Sequence, residues 1–109
     1  KHLGIHTELG STGIMKLMQK GVIDNSRKTL DVGKVVCTLM GGTSEFYKFV
    51  DHNDDFLMRR SSYVLNPAVI CQQKNMVAMN SCIEIDLFGQ VNSEMIAGKE
   101  FSGFGRLVL

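Results

Sequence analysis

The sequence predicts an α/β fold, and three observations carry that reading. Strand-like and helix-like segments alternate along the chain, the order expected of strands joined through helices. Val35 to Met40 is an unbroken apolar run of strand length, as in a strand buried on both faces. Ile14 to Met18 and Phe46 to Val50 space their apolar residues with a helical period, and helix-start residues stand just ahead of each.

Taken in order, Leu3 to Thr7 reads as a short strand. Ser11-Thr12 can cap a helix in which Ile14, Leu17 and Met18 share a face, and Gly21 ends it in the usual C-terminal glycine position. Asn25 to Gly33 is polar and reads as a loop or hairpin. Val35 to Met40 is the buried strand, broken by Gly41-Gly42. Thr43 or Ser44 caps a second helix with Phe46, Phe49 and Val50 on one face. Phe56 to Arg59 suggests a short strand. Asn66-Pro67 opens a turn or short helix through Ile70, with Asn as cap and Pro in the first turn. Met76 to Met79 is read as another strand. Ile83, Ile85 and Leu87 alternate with Glu84, Asp86 and Phe88, a strand with one face more polar. After Gly89 the chain is glycine-rich and polar to Gly105.

At 109 residues the chain can build one small domain around one core, and residues 1–109 are expected to form a single partial domain. It starts in a strand-like segment and ends on Leu107-Val108-Leu109, which leads us to expect a piece of a longer chain. The formal net charge is +1 and the basic residues are scattered, so no bulk electrostatic argument points to nucleic acid or a membrane surface. No apolar run approaches the roughly 20 residues of a membrane span. Cys37, Cys71 and Cys82 form no CxxC pair, which argues against a zinc or redox site. All three lie in apolar contexts and read as reduced, buried thiols of a cytoplasmic protein. The seven methionines read as core filler. His2 and His52 read as solvated. Asp51, Asp54 and Asp55 lack a calcium-loop pattern.

Chemistry could sit in three places. Glu8, at the end of a strand and close to Gly10 and Gly13, is placed where ligands bind in open α/β sheets; a glutamate there can serve as nucleophile or base. If the segment is extended, His6 shares its face. As a plain solvated glutamate near a helix start, Glu8 would also be unremarked. Gly98 to Gly105 could bring backbone N–H groups to an oxyanion or phosphate, or be a turn. Asn80, between two strand-like runs, could hydrogen-bond a substrate or its own backbone.

The same residues carry a family resemblance. Leu3-Gly4-Ile5-His6-Thr7-Glu8 resembles the segment bearing the active glutamate of the acetyl-CoA hydrolase/transferase family, which includes 4-hydroxybutyrate, butyrate and acetate CoA-transferases. Phe46-Tyr47-Lys48-Phe49-Val50-Asp51, Asn66-Pro67-Ala68-Val69-Ile70, the run from Asn75 to Leu87, and Phe101-Ser102-Gly103-Phe104-Gly105 are similar to it as well. The resemblance implies a CoA-transferase-like (NagB/RpiA-like), mostly parallel sheet with flanking helices, seen here as the amino-terminal part of the carboxyl-terminal domain. It implies Glu8 as nucleophile, forming a glutamyl-CoA thioester, with Gly103, Gly105 and Asn80 at coenzyme A or substrate. It implies coenzyme A as substrate with no tightly bound cofactor, acyl-CoA and short-chain carboxylates as partners, and a homodimer. An acetyl-CoA hydrolase, with water as acceptor, would use the same glutamate. Arg106 stands where the family continues with a second glycine, which leaves a non-catalytic interaction module on this fold as the alternative of another class.

Overall fold

The computed structural model describes residues 2–101. They fall into two compact units with the boundary between Met76 and Val77. The first contains β1 (His6–Ser11), α1 (Thr12–Gln19), β2 (Val35–Gly41), α2 (Ser44–Val50), β3 (Phe56–Met58), α3 (Ser61–Val64) and α4 (Pro67–Ile70). Its strands form one sheet in the order β1-β2-β3, all parallel. The predicted α/β class is therefore the observed one.

The helix ends follow their sequence signals. Gly21 takes φ +63° after α1. Its N–H donates to the Met18 carbonyl at 2.8 Å and that of Val22 to the Leu17 carbonyl at 2.9 Å, the paired bonds of a Schellman motif. Thr43 Oγ1 accepts the Phe46 N–H at the start of α2, and Asn66 Oδ1 accepts the Ala68 N–H at the start of α4. Sequence reading missed α3, whose single turn carries no periodic signal.

Ile14, Ile23 and Val35 form the core on one side of the sheet, with Ile5, Met18 and Phe56 packed against them. Phe46 is fully buried and meets Phe56 edge-on, ring centroids 6.2 Å apart. Val36, next along β2, faces the other way, as does His6, its partner in register. On that side α3 packs over β1 and β2. The turn from β2 into α2 needs Gly42 for space: a Cβ there would lie 2.5 Å from Thr12 Oγ1 and 2.8 Å from Phe46 Cδ1.

The expected strand at Leu3 to Thr7 is displaced. Leu3 makes only an isolated bridge to Ile23, and β1 runs from His6 to Ser11 because pairing with β2 continues to Ser11 opposite Gly41. In the second unit, Met76 to Met79 is not a strand, and the strand expected over Ile83 to Leu87 shrinks to β4 (Glu84–Ile85), paired antiparallel with β5 (Val91–Asn92). β6 (Met95–Ile96) and β7 (Lys99–Glu100) form a second hairpin. Its two-residue loop, Ala97-Gly98, has φ +49° and +78°, the type I′ geometry that matches strand twist. Leu87 and Phe88 of the predicted strand are instead exposed in the loop between β4 and β5. Of the cysteines only Cys37 is buried; Cys71 and Cys82 are exposed thiols. The methionines divide likewise: Met15 is core, while Met58, Met79 and Met95 are exposed.

Candidate active site

The lead-in to β1 is tied down by the loop that follows α1. Asn25 is 1% exposed and adopts φ +55°, a left-handed conformation that asparagine tolerates better than most residues. Its Oδ1 accepts the Ile5 N–H at 2.9 Å, its N–H donates to the Leu3 carbonyl, and its carbonyl accepts from Gly33 N–H at 3.0 Å. Lys28 crosses Gly4 so closely that a Cβ there would collide with the lysine stem. Its Nζ donates to the carbonyls of Ile5 and Lys34, at 2.9 and 2.7 Å. Burial pushes the Lys28 ammonium down to about 8, with Asp31 opposing the shift. Gln73, also buried, closes the far side of the loop by accepting from Thr29 and Leu30 N–H.

The segment so fixed delivers Glu8, which is partly buried. It sits three residues before the end of β1, where the parallel ladder is interrupted: Thr7 pairs with Cys37 and Leu9 with Leu39, and the Glu8 level is skipped. A Cβ on Gly10 would lie 3.5 Å from Cys37 Sγ and 3.8 Å from Met40 Cγ. Residues three apart on a regular strand face opposite sides, so alternation is lost between Cys37 and Met40. Glu8 thus occupies an irregularity inside a strand rather than a strand end, and regular alternation does not carry its direction from His6.

His6 Nε2 lies 2.7 Å from the Val64 carbonyl, so that nitrogen carries a proton and donates to it. The ring stands 6.3 Å from that of Tyr63. Tyr63 donates to Asp31 Oδ2 at 2.8 Å, and that bond holds its hydroxyl above the usual phenol range. The Arg59 guanidinium lies 5.6 Å over the Tyr63 ring. Cys37 Sγ, near Gly10, has its pKa raised by burial and is a poor nucleophile.

Asn80 lies exposed in the irregular stretch before β4, in the second unit. Gly103, Gly105 and Arg106 lie outside the described residues. His2 pairs with Asp24 at 2.5 Å rather than standing solvated alone, while His52 is exposed beside Asp51. Among the described residues no three His, Cys, Asp or Glu side chains gather as a metal site, and no helix is long and apolar enough to cross a membrane. A surface depression lined by Met18, Ile23, Asn25, Phe49 and Asp55 lies near the amino ends of β2 and β3, away from Glu8. Asn25, Lys28 and Tyr63 were not legible as parts of this region, since nothing in their local sequence separates them from ordinary loop and helix residues.

The profile of the acetyl-CoA hydrolase/transferase C-terminal domain matches residues 42–108. The 4-hydroxybutyrate coenzyme A transferase of Clostridium kluyveri is 49% identical over 105 residues, 96% of this chain and 24% of that protein. The succinyl-CoA:acetate/propanoyl-CoA:succinate CoA transferase of Fasciola hepatica is 46% identical over 96% of this chain and 22% of that one. A matched span of 105 residues in a chain of 109 includes Glu8. Relatives named acetyl-CoA hydrolase match at 27 to 29% identity. The crystal structure of a 4-hydroxybutyrate CoA-transferase from Porphyromonas gingivalis superposes with a TM-score of 0.80 at 44% identity, over 84% of this chain and 24% of that one. The chain spans about a quarter of the length of these relatives. With the parallel sheet, the sequence matches and the superposition in agreement, the chain belongs to the acetyl-CoA hydrolase/transferase family.

Proposed function

We propose that the protein carrying this chain is a CoA-transferase that moves coenzyme A between a short-chain acyl-CoA, of the 4-hydroxybutyryl, butyryl or acetyl type, and a carboxylic acid. The observation that carries the reading is Glu8, a carboxylate at a ladder break in a strand whose lead-in is held rigidly, within a span 49% identical to a named CoA-transferase. The Glu8 carboxylate attacks the thioester carbonyl; a C–O bond forms, the C–S bond breaks, and acyl-glutamyl anhydride and CoA thiolate result. The thiolate attacks the glutamyl carbonyl, releasing the first acid as its carboxylate and leaving a glutamyl-CoA thioester. The acceptor carboxylate attacks that thioester and expels the thiolate, which then takes the new acyl group and frees Glu8. Thioester energy is conserved because no step passes to water. Gly103, Gly105 and Asn80 are assigned to coenzyme A or substrate, coenzyme A is substrate rather than resident cofactor, and the working enzyme is a cytoplasmic homodimer.

The full-length protein should lose exchange activity at least a thousandfold as Glu8→Ala. Borohydride or hydroxylamine should inactivate the native enzyme only after acyl-CoA is added. An alanine variant that still exchanges at the native rate would dispose of the assignment. If adding a carboxylic acid leaves acyl-CoA consumption unchanged and no new CoA ester forms, water is the acceptor and the hydrolase reading replaces this one.

A further inference from the structure

The register puts Arg59 on the same level of the sheet as Glu8. Thr7 pairs with Cys37, and Cys37 with Met58, so the next level holds Glu8, Thr38 and Arg59. Arg59 stands one residue past β3, and its N–H continues the ladder by donating to the Cys37 carbonyl at 2.9 Å. Two levels earlier the sheet carries His6, Val36 and Leu57. The Glu8 level is polar on all three strands, and it is where β3 stops, toward the carboxyl ends at which open parallel sheets bind ligands.

Arg59 is exposed, yet its guanidinium is not left to wander. It lies 5.6 Å over the Tyr63 ring. That ring is itself held twice: its hydroxyl donates to Asp31 Oδ2 at 2.8 Å, and it stands 6.3 Å from the ring of His6, two residues before Glu8. A guanidinium held through its charge by an aromatic ring keeps its N–H donors for another partner. Among the described residues it has none, neither a hydrogen bond nor an ion pair. A placed cation with unused donors is suited to a carboxylate, which it can grip through two parallel bonds.

We propose that Arg59 is a specificity-determining residue: its guanidinium takes the far carboxylate of a short dicarboxylic acid whose near carboxyl group is exchanged at Glu8. This rests on the reading of Glu8 as nucleophile. Strands lie about 4.8 Å apart, so the backbones of Glu8 and Arg59 are about 10 Å apart across β2. The two side chains then need not meet; a four-carbon diacid lies between them with one end for each. Coenzyme A phosphates are a poorer match, because the long pantetheine arm carries them far from the thioester, while Arg59 stands on the nucleophile's own level. A monoacid of the butyryl kind would bring an alkyl end to this cation and leave its donors unmet.

The test uses the full-length protein, with succinate and butyrate compared as acceptors and thermal midpoints measured alongside. The native enzyme should prefer succinate in kcat/KM. Arg59→Gln loses a charge-assisted bond and should lower the succinate-to-butyrate ratio by about ten- to a hundredfold. Arg59→Lys restores the charge without the fork and should recover at least threefold of that loss. Arg60→Gln removes the neighbouring charge and should leave the ratio within twofold. The proposal is overturned if the native enzyme prefers butyrate, if Arg59→Gln lowers both acids alike, or if Arg60→Gln lowers the ratio as much, which would make the effect one of bulk charge. A rise in KM for acyl-CoA in Arg59→Gln with the ratio unchanged also overturns it, and places Arg59 at coenzyme A. Glu8→Ala separates the two readings. If it is inactive while Arg59→Gln keeps the native ratio, only the Arg59 assignment falls; if it is active, the nucleophile assignment falls first.

Discussion

Replacing Asn25 with alanine isolates the contact that fixes the approach to Glu8. Two effects add. The Ile5 N–H loses its acceptor, 2.9 Å away in the native fold, in a partly buried place; an orphaned donor of this kind costs about 1–2 kcal/mol. Alanine must also hold φ +55°, which costs about 1 kcal/mol more than asparagine does there. The sum, about 2–3 kcal/mol, corresponds to a local opening about 30- to 150-fold more frequent. Amide hydrogen exchange of the full-length protein reads this directly in the segment from Leu3 to Glu8. Asn25→Gly divides the two effects. Glycine takes the left-handed conformation without strain, so it loses only the side-chain bond and should exchange about fivefold more slowly than the alanine variant. If Asn25→Ala leaves exchange in that segment within twofold of native, the side-chain clamp contributes nothing and the reasoning is wrong. If glycine and alanine behave alike, the left-handed backbone carries no cost.

Lys28 and Gly42 give further tests. Lys28 titrates at about 8 in the fold against an ordinary 10.5, so between those values the unfolded chain binds more protons and stability rises with pH; below about 8 the cost of burying the charge is fully present. The full shift would be worth about 3 kcal/mol, and screening at a half-exposed ammonium reduces it to about 1–2. The difference in thermal stability between native protein and Lys28→Met should therefore move in favour of the native protein by that amount from pH 7 to pH 10, and a difference that stays flat would refute the shift. Gly42→Ala should destabilise by about 1–3 kcal/mol through its clash with Thr12 and Phe46, whereas Gly41→Ala, whose nearest neighbour is Leu9 Cδ1 at 3.4 Å, should cost less. Denaturation midpoints that rank the two in the reverse order would contradict the packing described for this turn.

What the sequence disclosed depended on whether a signal was local. Helix α1 and its glycine stop, the cap at Thr43, the Asn66-Pro67 start and the buried strand at Val35 were all legible, because periodicity, caps and apolar runs act within a few residues. The strand at His6 to Ser11 was misplaced because its extent depends on pairing with a segment 30 residues away, which no local pattern encodes. The two-residue strands of the second unit were missed for a related reason: pairs so short have no period to detect. Asn25 read as one polar loop residue among several, yet its acceptor and its φ make it the junction of three segments. Glu8 was found by residue type and family pattern, while the ladder break that sets it apart needed the register of both strands.

That break has a consequence for how the region divides its labour. As the proposed nucleophile, Glu8 would have to be held closely enough to attack and yet leave its strand's plane to meet a bulky thioester. A continuous ladder serves the first need and opposes the second, because it fixes side-chain direction as well as backbone position. Here the two are separated. The backbone before Glu8 is held by Asn25, Lys28 and the bond from His6 to Val64. The backbone after it is held by the resumed pairing from Leu9 to Ser11. Only the pair at the Glu8 level is missing from the ladder. On the proposed reading, tightening that one rung would impair the reaction without destabilising the fold, whereas loosening the clamps should do both. Asn25→Ala should accordingly lower both exchange protection in the segment before Glu8 and kcat of the full-length protein.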